Sequence, residues 1–310
     1  MATLAQTRLT RSRTPVRPRV WSTVWAYPRL TVGIALLALL LVVTLGAPLF
    51  VSHGPLEQNL SAVLHLPFGN YLLGTDQLGR DVFSRTLYGG RLALAVAVVS
   101  TVIALIIGVA LGLLSGYKAG MVDSVVMRVL DGVIVFPDLI LALSITYAVG
   151  PSFWTVAAAI ATVNVPKFAR VVRGQVLSLR EREFIASARV AGVSTIRILL
   201  RHLLPNVVEV IVVQAALTAG TAIFTAASLS FLGLGLPAPQ PDWGGMLKDG
   251  YAYLGSRPLM SIIPGLMIFA AMLAFNLLGD GLRDRFDPKV IARTARVRAG
   301  RREKGATDEQ

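Results

Sequence analysis

The sequence predicts an all-α polytopic membrane protein with six transmembrane helices and both termini cytoplasmic. Three observations carry that expectation: an apolar composition, six separate apolar runs of spanning length, and a one-sided distribution of basic residues. The 310-residue chain is 54% hydrophobic and only 15% charged, with a mean hydropathy of +0.65, outside the range of soluble domains. The runs fall at 30–50, 92–115, 126–149, 152–172, 206–232 and 259–280. Each can cross a hydrocarbon layer of about 30 Å at ~1.5 Å per residue. Of the 30 lysines and arginines, 25 lie on one side of this arrangement and 5 on the other, as the positive-inside rule requires. The net charge of +13 is therefore a record of topology and not the footprint of a nucleic-acid partner.

Residues 1–29 form a basic cytoplasmic tail. The first span, 30–50, has an apolar run too long for a signal peptide and no small-x-small cleavage site before Pro48, so it reads as a retained helix. Residues 51–91 form an external segment. Within it Thr75 is placed to cap a helix, with Asp76 near its positive end. Asp81 and Arg85 are four apart, and Arg80 stands beside them. The pattern predicts a short amphipathic helix lying on the membrane surface; a solvated turn is the plainer reading.

Residues 92–282 hold the remaining five spans. In the second span Gly108, Gly112 and Gly116 recur at four-residue spacing, which aligns them on one face and admits a second backbone. The third carries Asp131 and Asp138 near its start, and Glu209 lies early in the fifth. These acids are expected at helix ends and not at mid-depth, so no proton relay is predicted. Residues 283–310 form a second basic tail.

Composition also removes whole classes of chemistry. There is no cysteine, hence no disulfide or thiolate metal site. His53, His65 and His202 lack metal-ligand spacing. Neither a GxSxG elbow nor a GxxxxGK[ST] loop occurs. A chain with neither an ATP site nor a proton relay must borrow its energy or conduct passively.

The loop at 173–205 interrupts the apolar pattern with REREFIASARVAGVSTIRILLRHLLPN, residues 180–206. A helix over 180–191 would carry Phe184, Ile185 and Ala188 on one face, with Arg182, Glu183 and Arg189 on the others. Gly192 can end it in the left-handed conformation. Ser194 can cap a second helix bearing Ile196, Leu199, Leu200 and Leu203 on one face, and Pro205 marks a break before the fifth span. Such a greasy and basic pair of helices could snorkel against anionic lipid or dock into a soluble partner. A channel or receptor whose loop binds lipid or a signalling partner remains open at this point, as does, at the margin, a membrane enzyme.

REF, ASARVAG and then LLPN, its proline thirteen residues after Gly192, resemble the cytoplasmic coupling loop of ABC importer permeases. LGTDQLGRDVFSRTLYGGR, FPDLILAL, VPKFARVVRGQVLSLREREF, SLSFLGLGLPAPQPDWGGML and IPGLMIFAAMLAFNLLGDGLRDRFDP follow in order and resemble the C-type subunit of the dipeptide/oligopeptide/nickel permeases. The resemblance implies a type I importer fold and uptake of peptides or a related small solute by alternating access. It implies a second homologous permease subunit, two ATPase subunits that bind ATP and Mg, an external substrate-binding protein and the lipid bilayer as partners, with no cofactor in this chain itself. It assigns ATPase coupling to Arg182, Glu183, Phe184, Ile185, Ala186, Ser187, Ala188, Arg189, Gly192, Leu204 and Pro205. The family's usual glutamate is Ala186 here, its following alanine is Ser187, and a common acidic position before LSFLGLG is Ala226.

Overall fold

In the computed structural model, residues 27–286 are described. The predicted basic tails lie outside the described residues, apart from 27–29 and 283–286. Among the described residues all regular structure is helical, apart from two isolated bridges in the polar segment, Phe68 with Tyr71 and Thr75 with Asp81.

Helix α1, Pro28–Leu45, opens on a proline whose missing N–H would have no partner at that position. Helix α2, Val82–Lys118, runs for 37 residues. Helices α3, Gly120–Ile134, and α4, Asp138–Val149, are separated by Val135–Pro137 and bent by 87°. Helix α5 is Phe153–Leu179, α6 is Glu183–Val190, α7 is Leu204–Phe231, α8 is Trp243–Tyr251 and α9 is Leu259–Phe286. Five helices are long and apolar enough to cross a bilayer, or six if the bent pair counts as one span. The continuous third span expected at 126–149 is thus corrected. Pro137 cannot supply an amide hydrogen, and it biases Phe136 away from helical dihedrals.

Close approach by small residues holds the bundle together. A Cβ on Gly108 would lie 2.5 Å from that of Phe168, one on Gly112 would lie 2.6 Å from the Ala169 carbonyl oxygen, and one on Gly116 would lie 2.8 Å from the Cβ of Val176. The three glycines therefore seat α2 directly on α5, the two helices running in the same direction. Gly33 of α1 meets the backbone of α9 at Leu278 in the same way, with Gly281 returning the contact against Leu30. One apolar core joins Val96, Ile160, Ile223 and Phe275 from four of the long helices. A second runs from Leu113 and Phe168 to Ile185, Ile198 and Leu203 at the basic end of the bundle.

The opposite end is closed by a polar cap, and here the sequence expectation is overturned. Residue 82 opens α2 itself, and among the described residues the 51–81 segment holds only a three-residue 3-10 turn, Leu60–Ala62, and no amphipathic helix. Asp81 is the N-cap, accepting from the amides of Phe83 at 3.1 Å and Ser84 at 3.2 Å. Thr75 caps nothing; its hydroxyl binds the carbonyl of Ala62 and accepts from the amide of His65. Asp81 does not pair with Arg85 either. Asp76 takes both arginines, Arg80 at 2.7 Å and Arg85 at 3.5 Å, and all three side chains are buried. Arg85 also donates to the carbonyls of Pro55 at 3.1 Å and Pro239 at 3.4 Å, so one guanidinium ties the 51–81 segment and the 232–242 loop to the start of α2. Burial in this cap raises the Asp81 carboxyl against the pull of its two amide donors.

Candidate functional site

At the basic end, α6 begins where Arg182 leaves extended dihedrals, its carbonyl accepting from the amides of Ile185 and Ala186. No side chain caps it; Glu183 in the first turn complements the positive helix end. The helix stops at a Schellman motif. Gly192, at φ +71°, donates to the carbonyl of Arg189 at 3.0 Å, and Val193 donates to that of Ala188 at 3.0 Å. Arg189 lies over the Tyr117 ring at 5.0 Å, fastening α6 to the end of α2.

The faces of α6 divide differently from the sequence reading. Ile185 is wholly buried and Ala188 is buried beside it, both packed into the core that contains Ile198 and Leu203. Phe184 is 42% exposed and Val190 90% exposed, with Glu183, Ala186, Ser187 and Arg189 on the same open surface. Ile185 and Ala188 therefore anchor the helix to its own bundle, and the outward surface is built on Phe184 and Val190. Successive helical residues are turned by about 100°, which separates adjacent Phe184 and Ile185.

The second half of the loop is also corrected. Only Thr195–Arg197 is a turn of α-helix, and the Ser194 side chain makes no cap bond. A π-helical turn, Ile198–Leu203, follows and runs directly into α7, so Pro205 sits in the first turn of a continuing helix and marks no break. The wider turn shifts the buried stripe to Ile198, Leu203, Val207 and Ile211, leaving Ile196 and Leu200 exposed. Leu204 is half-buried and Pro205 exposed. Exposed Phe184, Val190, Ile196 and Leu200 thus stand among exposed Arg182, Arg189, Arg197 and Arg201 on one end of the molecule.

Sequence reading missed a second feature, a ladder of ion pairs between the broken helices and α5. Arg173 holds Asp123 through two hydrogen bonds of 2.5 and 2.6 Å, Arg170 holds Asp131 at 2.6 Å, and Lys167 holds Asp138 at 2.7 Å. All three acids lie on α3 and α4 and all three bases on α5. Lys167 falls at the middle of the 27-residue α5, while Asp138 is the first residue of α4, a helix end as expected, which the 87° bend sets against the middle of α5. Glu209 lines a cleft of about 480 Å³ between α5, α7 and α9, with Gln175, Gln214 and Arg283. The described residues contain no group of acids and histidines able to hold a metal ion.

Residues 108–292 match the family model for binding-protein-dependent transport system inner membrane components. The chain belongs to that family. It is 44% identical over 259 residues to the dipeptide transport system permease protein DppC of Alkalihalophilus pseudofirmus, covering 84% of this chain and 85% of that one. It is 43% identical over 224 residues to the glutathione transport system permease protein GsiD of Pectobacterium atrosepticum, and 46% identical over 224 residues to that of Escherichia coli, in each case over 72% of this chain and 74% of the relative. The permease is a plasma-membrane subunit of an ATP-driven importer and works with ATPase subunits and a substrate-binding protein.

Proposed function

We propose that this permease translocates peptides, with α6 and the turn after it as the surface that receives an ATPase. The observation that carries this reading is the division of α6: a buried Ile185–Ala188 side welded to the bundle and an exposed Phe184–Val190 side ringed by arginines. A helix seated in this way moves as one body with α2 and α7, so force applied to its outer face reaches the spans. The left-handed Gly192 and the Arg189–Tyr117 contact keep its angle to the bundle fixed.

In the proposed assembly the bent pair counts as one span, giving six, and both termini are cytoplasmic. A second homologous permease completes the pathway. Two ATPase subunits bind ATP and Mg and perform the hydrolysis, this chain contributing no ATPase site. An external substrate-binding protein delivers solute to the polar cap built on Asp76, Arg80 and Arg85. The named relatives transport a dipeptide and the tripeptide glutathione, and a peptide is the solute class proposed here.

Reconstitution tests this reading. The complete transporter in proteoliposomes, supplied with its binding protein outside and ATP inside, should accumulate labelled dipeptide. Accumulation that persists without ATP would contradict it.

A further inference from the structure

We propose that Asp138 and Lys167 line the water-filled solute path and bind the two ends of a zwitterionic peptide, the ammonium at Asp138 and the carboxylate at Lys167. This rests on the peptide reading above and adds a location to it. Lys167 Nζ is 2.7 Å from Asp138 Oδ2, and the two side chains remain 39% and 53% exposed. They stand about 20 Å from either end of α5 at ~1.5 Å per residue. Lys167 lies within the apolar run 152–172, toward its basic end, and Asp138 lies within the run 126–149; charged groups half open inside a span face protein or water and not hydrocarbon.

The backbone at the same level says the same thing. The 87° break over Val135–Pro137 removes a stretch of helix beside Asp138, and Pro166, next to Lys167, deprives α5 of an amide hydrogen. Non-helical backbone at membrane depth is confined to protein interiors and the walls of aqueous cavities, and Phe136 and Val135 are exposed. Asn164, itself buried, donates to the Ile160 carbonyl at 2.8 Å and accepts from Lys167 at 3.0 Å, which fixes the ammonium in place from below. Asp138 lies in the first turn of α4, where the positive helix end favours a carboxylate.

An ion pair that remains in contact with water is worth little, so a zwitterion can open it without net loss, replacing one pair by two. Because the acids of all three rungs belong to α3 and α4 and the bases to α5, a peptide passing along this seam keeps one orientation from Asp138 and Lys167 to Asp131 and Arg170.

The chain contains no cysteine, so Asp138→Cys introduces its only thiol. In the complete transporter in nanodiscs, a charged methanethiosulfonate reagent should label it at least tenfold faster than the same thiol at Leu39, an exposed apolar position on α1. No labelling of Asp138→Cys in either the nucleotide-free or the vanadate-trapped state would overturn the placement, even if wild-type uptake is intact. The double variant Asp138→Asn with Lys167→Met removes both charges at near-constant volume. It should cut uptake of alanyl-alanine at least tenfold while the ATPase still co-purifies; unchanged uptake would overturn the charge assignment. Fast labelling at 138 with no dipeptide uptake by the wild type would instead reject the peptide reading and leave the path in place.

Discussion

Phe184 and Ile185 are neighbours in the chain, yet Phe184 is 42% exposed at the basic end of the bundle and Ile185 is wholly buried in its core. Their mutants therefore separate two roles. Ile185→Asp places an unpaired carboxylate among Ile198, Leu203 and Leu113, at a cost of several kcal/mol, and should lower the amount of folded permease measured by size-exclusion fluorescence. Phe184→Asp adds a charge to a surface already in water. It should leave folded yield near the wild-type level while reducing peptide-stimulated ATP hydrolysis.

Gly192 sits at φ +71° with open space where a Cβ would go, so only the backbone penalises a larger residue. Gly192→Val incurs about 1–2 kcal/mol for the left-handed conformation and weakens the Schellman end of α6. Membrane insertion should be unchanged, and coupled uptake should fall several-fold. Full uptake by this variant would remove Gly192 from the account.

Gly112 offers the opposite case, a glycine required by space. Its Cβ would lie 2.6 Å from the Ala169 carbonyl oxygen and 2.8 Å from the Val172 Cβ. Gly112→Leu forces α2 and α5 apart, an overpacking cost of about 1–3 kcal/mol or more, and should lower the melting temperature of the detergent-solubilised complex. Gly120→Ala on the same chain meets no neighbour and bears only the strain of its positive φ, so it should lower it less.

Asp242 caps α8 by accepting from the Gly245 amide at 3.0 Å, and burial pushes its carboxyl above the usual carboxylate range, against the pull of the Ser230 hydroxyl, the Gly245 and Gly244 amides and Arg85. A carboxyl raised on folding holds its proton to higher pH in the folded state than in the unfolded chain. Stability is then lost as pH rises from the unfolded value through the folded one. Asp242→Asn keeps an acceptor for the cap and carries no charge. It should melt higher than the wild type at pH 7, with the difference shrinking toward pH 4; a constant difference would show that the carboxyl is not the cause.

Long apolar helices were legible because lipid demands some 20 apolar residues in a row, and α2, α5, α7 and α9 meet that demand in plain sight. The break between α3 and α4 was hidden by the same rule, since 126–149 has the right length and only Pro137 between two aspartates betrays the bend. The polar cap was misread because its partners are remote: Arg85 is held by Pro239, and Trp243 donates to the Thr86 carbonyl at 2.7 Å, contacts that local pattern cannot show. The face of the loop was misread for a local reason. A π turn adds a residue between Ile198 and Leu203, so Ile196 and Leu200, counted on one face with Leu203 at α-helical spacing, fall off the buried stripe.

Cross-linking tests the coupling surface most directly. With Phe184→Cys as the sole thiol of this chain, a short thiol-to-amine cross-linker in native membranes should join the permease to an ATPase subunit, and Val190→Cys should do the same. Adding Asp at the other of the two positions should abolish the adduct and release the ATPase on purification. Efficient cross-linking to lipid or to no protein at all, with the ATPase still bound, would contradict the assignment of this face.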